Sequence, residues 1–291
     1  MKQGDLVVRK SYGGDVIFKV DRMDRQNAVL KGLEYRLLAD SPVTDLLKVE
    51  DVQSHSGYRA VQNRVRETSQ WMLDVRQTQM KTNDLSLSPV SGVKHPYFEM
   101  PGKVLHLDGD PLYLRKSMML YEKLKVPAEG LHTTEADMPE ALYKLIPAVR
   151  PDIVVLTGHD GLLKSRKEEG LQNLSSYKNS LNFVKAVKIA RQYERNRDAL
   201  IIIAGACQSH FEALLQAGAN FASSPARILI HALDPVYIAS KVSYTSVKET
   251  IDIYDVISHT VSGLQGLGGI ESKGSYRIGV PGIERISAKQ P

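Results

Sequence analysis

The sequence predicts an α/β protein: a parallel sheet with helices on both faces, preceded by a small antiparallel β-module. Three observations lead there. The runs in KVLHLDGD (103–110), DIVVLTGHDG (152–161) and LIIIAGACQSH (200–210) are continuously apolar, as strands buried on both faces are. Segments of helical spacing separate them, and strand–helix alternation implies parallel pairing. Before residue 50, short β-like runs instead follow one another with turn signals and no helical pattern between them.

Composition narrows the class. With 291 residues, 42% of them hydrophobic, the chain can bury a full α/β core and still carry a small extra domain. No apolar stretch approaches the roughly 18 residues of a membrane span, and MKQGDLVVRK lacks a signal-peptide apolar region, so a soluble protein made in the cytoplasm is expected. A single cysteine, Cys207, excludes an intramolecular disulfide. The net charge of +5 and pI near 9.1 come from dispersed basic residues, so acidic partners are only mildly favoured and nucleic-acid binding is not expected.

In chain order, Leu6–Arg9, Val16–Val20, Ala28–Leu30 and Tyr35–Ala39 read as strands, with turns at Ser11–Gly14 and Asp21–Gln26. Strands so short and close suggest an SH3-like β-barrel over residues 1–55. Its aromatics Tyr12, Phe18 and Tyr35 are too few for base stacking, so docking is its expected use. From Ser56 to about Lys81 a ragged apolar face (Val61, Val65, Trp71, Met72, Val75) predicts a connecting helix. Residues 82–102 are rich in Ser, Pro and Gly and read as a linker, making 56–102 the connector and 103–291 the second domain.

In that domain a helix is expected through Leu114, Met118, Tyr121 and Leu124, a short run at Leu131–Thr133, and a second helix at Pro139–Val149. After the polar loop 161–180, Phe183, Val187, Ala190 and Tyr193 share one helical face, with Ser180 as N-cap. His210–Gln216 has helical spacing and stops at Gly218. Arg227–Tyr237 reads as a strand running into Pro235–Lys241, and Val247–Val261 as a helix. The glycine-rich GLQGLGGIESKGSYRIG lacks the GxxxxGK[ST] spacing and reads as a flexible or substrate-flanking loop.

The chemistry concentrates at two strand ends. Small residues Ala204, Gly205 and Ala206 turn the chain sharply before Cys207, and Thr157 and Gly158 do the same before His159. The separation of the two allows a βαβ crossover, which brings both side chains to the C-terminal edge of one sheet. Imidazole can then take the thiol proton, and a nearby helix N-terminus would favour thiolate. Backbone amides of Cys207, Gly158, Asp160 and Gly161 are the candidates to hold an oxyanion. No cofactor and no metal is called for.

The pattern of strand, His and Gly, followed by strand and Ala-Cys, resembles the caspase, gingipain and clostripain clan of cysteine peptidases. It departs from it in two places: Asp160 separates His159 from Gly161, and Gly205 stands where caspases carry glutamine. Over nearly the whole length, GDLVVRKSYGGDVIFKV, HLDGDP, LTGHDG and IIAGACQSHFEALL resemble the YabG family of sporulation-specific proteases of endospore-forming bacteria. The resemblance implies a caspase-like cysteine endopeptidase with Cys207 and His159 as its dyad. It also implies cleavage at basic residues, arginine preferred, and as substrates the proteins of the spore coat and germination apparatus. The expected location is the mother-cell cytoplasm and then the spore coat or forespore surface.

An arginine pocket needs a carboxylate facing the dyad. Asp110 and Asp108, which end the first strand around Gly109, rank first and second, and Asp160 third. Self-cleavage is expected, if anywhere, at Lys164–Lys167. A non-catalytic coat scaffold that binds partners through the barrel is the alternative. A Rossmann-type nucleotide site is disfavoured, because Asp-Gly-Asp at the first strand end would repel phosphate.

Overall fold

The computed structural model describes residues 1–87, 97–163 and 170–280. The chain opens with β1 (Leu6–Arg9), β2 (Phe18–Met23), β3 (Asn27–Gly32), β4 (Leu38–Pro42) and β5 (Leu46–Lys48). They form one antiparallel sheet in the order β4-β3-β2-β1-β5. Alternation builds its core: Phe18 and Val20 of β2 and Ala28 and Leu30 of β3 point inward with Val7 and Leu46. A bulge between Val20 and Arg22 lets β2 run on to Met23, through residues read from sequence as a turn. Of the expected strand Tyr35–Ala39, only Leu38 and Ala39 are strand, as the start of β4. Residues 33–37 are the tip of the β3–β4 hairpin, closed by Gly32 N–H on Leu37 O (2.8 Å), and Tyr35 bridges to distant His231.

Helix α1 (Ser56–Leu87) is longer than the sequence pattern indicates. Its face holds Met72 in the core, and Trp71 stacks on His259 with ring centroids 4.0 Å apart. Phe98–Met100 (β6), inside the expected linker, pairs antiparallel with β13 (Arg277–Gly279).

The central sheet contains β7 (Val104–Asp108), β8 (Ala128–His132), β9 (Ile153–Thr157), β10 (Ile201–Ala204), β11 (Phe221–Ser223) and β12 (Leu267–Gly269). Its order is β12-β11-β10-β9-β7-β8, parallel except for β12. Burial on both faces explains the continuous apolar runs. Val104, Ile153, Val155, Ile201 and Ile203 face one core, and Leu105, Leu107, Val154, Leu156 and Ile202 the other. Helices α2 (Pro111–Leu124) and α6 (Asp234–Tyr244) cover the first face, where α7 (Ile253–Ser258) also packs. Helices α3 (Met138–Val149), α4 (Ser180–Tyr193) and α5 (Phe211–Ala217) cover the second.

Several local expectations shift. Asn179, not Ser180, takes the N-cap position of α4, because the Ser180 hydroxyl is spent on Asp160 and on the His210 amide. Gly218 ends α5 in the left-handed region (φ 117°), as its position suggested. Residues 227–233 are irregular rather than a strand, and helix is confined to Ile253–Ser258 within 247–261. The glycine-rich stretch is not a loop throughout. It forms the short helix α8 (Gly263–Gly266) and then β12, the edge of the central sheet.

Candidate active site

Parallel register aligns the strand ends. Leu156 of β9 lies opposite Leu107 of β7 and Ala204 of β10, so Asp108 and Asp110, His159, and Cys207 leave the sheet at one edge. His159 is nearly buried, and its Nε2 sits 3.0 Å from Asp110 Oδ2. Its Nδ1 is also buried and has no hydrogen-bond partner among the described residues. The loop is fixed from behind by Glu135, which accepts the His159 N–H at 2.7 Å. Gly109 and Gly158 make room for that carboxylate, since a Cβ on either would collide with it.

Asp110 does three things at once. Its Oδ1 caps α2 by accepting the Leu112 N–H at 2.8 Å, and its Oδ2 meets both His159 and Lys31 Nζ, the latter at 3.1 Å. Burial opposes its ionisation, but His159, the Leu112 amide and Lys31 hold its carboxyl well below the usual carboxylate range.

Asp108 is fully buried. Its Oδ2 accepts from Arg36 Nη1 at 2.7 Å and Thr157 Oγ1 at 2.9 Å, and its Oδ1 from the Asp110 N–H at 2.9 Å. Desolvation again works against the charge, yet the Arg36 guanidinium and His106 keep the group far below its ordinary value. Arg36 is itself without solvent exposure. Its Nη2 donates to Ala232 O at 3.0 Å and its guanidinium carbon lies 5.1 Å from the Tyr113 ring centre.

Asp160 faces inward and ties the two loops together. Its Oδ2 accepts from Ser180 Oγ and from Ser209 Oγ (2.9 Å), while Oδ1 accepts the amides of Asn179 (2.7 Å) and Gly161 (2.9 Å). Ser209 Oγ in turn accepts the Ala206 N–H at 2.9 Å, next to Cys207. Burial raises the Asp160 carboxyl despite these donors.

Cys207 has no exposure at all. Its Sγ accepts the Ile230 N–H at 3.2 Å, and no hydrogen bond joins it to His159 among the described residues. Burial pushes the thiol up to about 12, opposed by the Ile230 amide and by the charge and amide of Arg36. The expected help from a helix N-terminus is missing: α5 starts only at Phe211 and is capped by His210, so the sulfur lies outside its first turn.

The sequence-predicted residues thus share one sheet edge, but with different partners. Asp110 adjoins His159, Asp108 adjoins Arg36, Asp160 faces the loop interior, and the Gly161 amide is engaged by Asp160. Lys164–Lys167 lies outside the described residues. Sequence reasoning missed Arg36, Tyr113 and Glu135, since nothing local marks a strand-like YRLLAD or a single loop glutamate as part of a site.

A family profile described as YabG peptidase U57 matches residues 2–281. The chain belongs to the YabG peptidase family. It is 43% identical over 284 residues to the sporulation-specific protease YabG of Bacillus subtilis (strain 168), covering 96% of this chain and 97% of that one. No solved structure matches. The chain is therefore a peptidase of a sporulation-specific family, and the sheet edge bearing His159 and Cys207 is the natural place to look for its chemistry.

Proposed function

We propose that this peptidase is a cysteine endopeptidase that cuts after basic residues, arginine first. In this reading His159 takes the proton from Cys207, and the thiolate attacks the peptide carbonyl. The amides of Cys207 and Gly158 stabilise the oxyanion, and His159 returns the proton to the leaving amine before water hydrolyses the thioester. The observation that carries the reading is the buried Nδ1 of His159, which has no partner among the described residues, on a ring whose other nitrogen is held by Asp110. A base needs one nitrogen oriented and the other free. An open cleft of about 310 Å³, bordered by Lys31, Gly109, Glu135 and Asn179, reaches as far as His159.

For the basic-residue pocket the order is Asp108 first. It already accepts a guanidinium, with Ala232 O as a second acceptor and the Tyr113 ring alongside. Asp110 is better read as the group that orients His159, and Asp160 as a structural tie. Residues 1–55 are read as an SH3-like β-barrel, 56–102 as a connector and 103–291 as a caspase-like peptidase domain; the antiparallel five-stranded sheet and the parallel sheet with His and Cys at adjacent strand ends support this division. The sporulation-specific relative supports spore-coat and germination proteins as substrates, met in the mother-cell cytoplasm and on the forming coat.

The test is cleavage of peptides differing only at the residue before the scissile bond. Arginine should be cut best, and Cys207→Ala protein, folded by circular dichroism, should cut none. Undiminished cleavage by that variant would sink the assignment.

A further inference from the structure

The hairpin tip between β3 and β4 lies against the cysteine as a peptide substrate would. Tyr35 makes an antiparallel bridge to His231. On either side the Arg36 N–H donates to Ile230 O at 3.2 Å and the Ala232 N–H donates to Glu34 O at 2.8 Å. This is strand addition, in which backbone bonds hold an extended segment and pockets take its side chains. The same Ile230 gives its amide to Cys207 Sγ, and the Arg36 amide lies close enough to the sulfur to favour its ionisation. The Arg36 side chain fills the buried Asp108 pocket.

We propose that Glu34–Arg36 is an internal inhibitor, occupying the peptide groove with Arg36 in the place of a substrate's arginine. The proposal rests on the peptidase reading above and adds its regulation: this conformer is closed, and the hairpin tip must leave before a substrate can reach Cys207. The tip is built to be held and not cut. Leu37 N–H donates to Tyr35 O at 2.7 Å, a tight turn centred on Arg36, and Leu37 O accepts from Gly32, so the chain bends back into its own sheet immediately after Arg36. Tyr113 Oη reaches the carbonyls of Gly32 and Tyr35, both at 2.5 Å, and Lys116 Nζ clamps Leu33 O at 2.7 Å and Glu34 Oε1 at 2.9 Å.

The experiment compares full-length wild type, Arg36→Gln and Lys116→Met on a short fluorogenic arginine-amide peptide, with Cys207→Ala as the blank and a thermal transition recorded for each. Arg36→Gln should raise kcat/KM at least about tenfold. Lys116→Met, which loosens the tip from the surface and leaves the pocket pair intact, should raise it by a smaller factor; it carries the test if Arg36→Gln does not fold. Wild type as active as both variants, with Cys207→Ala inactive, overturns the inhibitor while leaving the peptidase assignment standing. Fully active wild-type chains that begin at Leu37 also overturn it, since the tip would then be a substrate. Inactivity of all folded variants on every basic peptide overturns the reading as a cysteine endopeptidase cutting at basic residues, and the inhibitor with it.

Discussion

Arg36 Nη1 lies 2.7 Å from Asp108 Oδ2, with both side chains sealed from solvent, and this one pair joins the N-terminal sheet to the end of the first strand of the central sheet. Lys31, on the same hairpin, reaches Asp110, the N-cap of α2 just beyond that strand. The two acidic residues of HLDGDP therefore receive their positive charges from a sequence-distant module.

A buried pair of this kind is costly to break from one side. Removing either partner strands a charge, so Arg36→Met and Asp108→Asn should each lower unfolding free energy by about 3–5 kcal/mol. The double variant should cost clearly less than the sum, because no charge is left alone. Chemical denaturation of the four proteins measures this, and strict additivity would show that the pair is not coupled.

Acid should expose the same coupling. The folded-state carboxyl of Asp108 lies below its ordinary 3.8, so its contribution is complete above that value and is lost as pH falls through the lower, folded value. Wild type should therefore lose stability on acidification below about 4, with a slope that is shallower in Asp108→Asn. Equal slopes in urea melts across that range would contradict the depressed value.

Asp110 should matter to rate more than to fold. Asparagine caps a helix as well as aspartate, so α2 should tolerate Asp110→Asn. What changes is the partner of His159 Nε2: an amide cannot hold the imidazolium as a carboxylate does, and kcat should fall by on the order of 10² to 10⁴. Asp108→Asn should instead act mainly on KM for arginine peptides, because the pocket and not the base is altered. Steady-state kinetics of the two variants separate these roles, and matching kcat and KM effects would merge them.

Much of the central sheet was legible because burial on both faces writes itself as unbroken apolar runs: Ile153–Thr157 and Ile201–Ala204 lie where the sequence suggested, and their loops carry His159 and Cys207. Gly218 was legible for a local reason, its left-handed conformation at a helix end. What the sequence hid was long-range. Tyr35–Ala39 has strand composition, yet pairing with residues 230–232 turns its first half into a docked tip. The fate of Asp108 and Asp110 depends on Arg36 and Lys31, each more than seventy positions away, and no local pattern encodes that encounter. The glycines near the C-terminus looked mobile because an edge strand of three residues has too little alternation to be seen.

Cys207 is held as a neutral thiol in the closed conformer. With its thiol raised from 9.0 to about 12 by burial, the folded protein favours the neutral form. The stabilisation from this neutral thiol is complete below 9.0 and is lost as pH climbs through about 12, where the folded thiol at last ionises. Between those values unfolded chains carry thiolate and folded chains do not. Iodoacetamide at a pH of about 9.5 should therefore alkylate denatured protein at least about tenfold faster than folded wild type. Arg36→Gln should move folded protein toward the denatured rate, because withdrawing the hairpin tip hydrates the sulfur and relieves the burial that raises its ionisation, an effect larger than the loss of the opposing Arg36 charge. Rapid alkylation of folded wild type at that pH, with its thermal transition intact, would mean that Cys207 is already open to water and that the closed conformer is not the resting one.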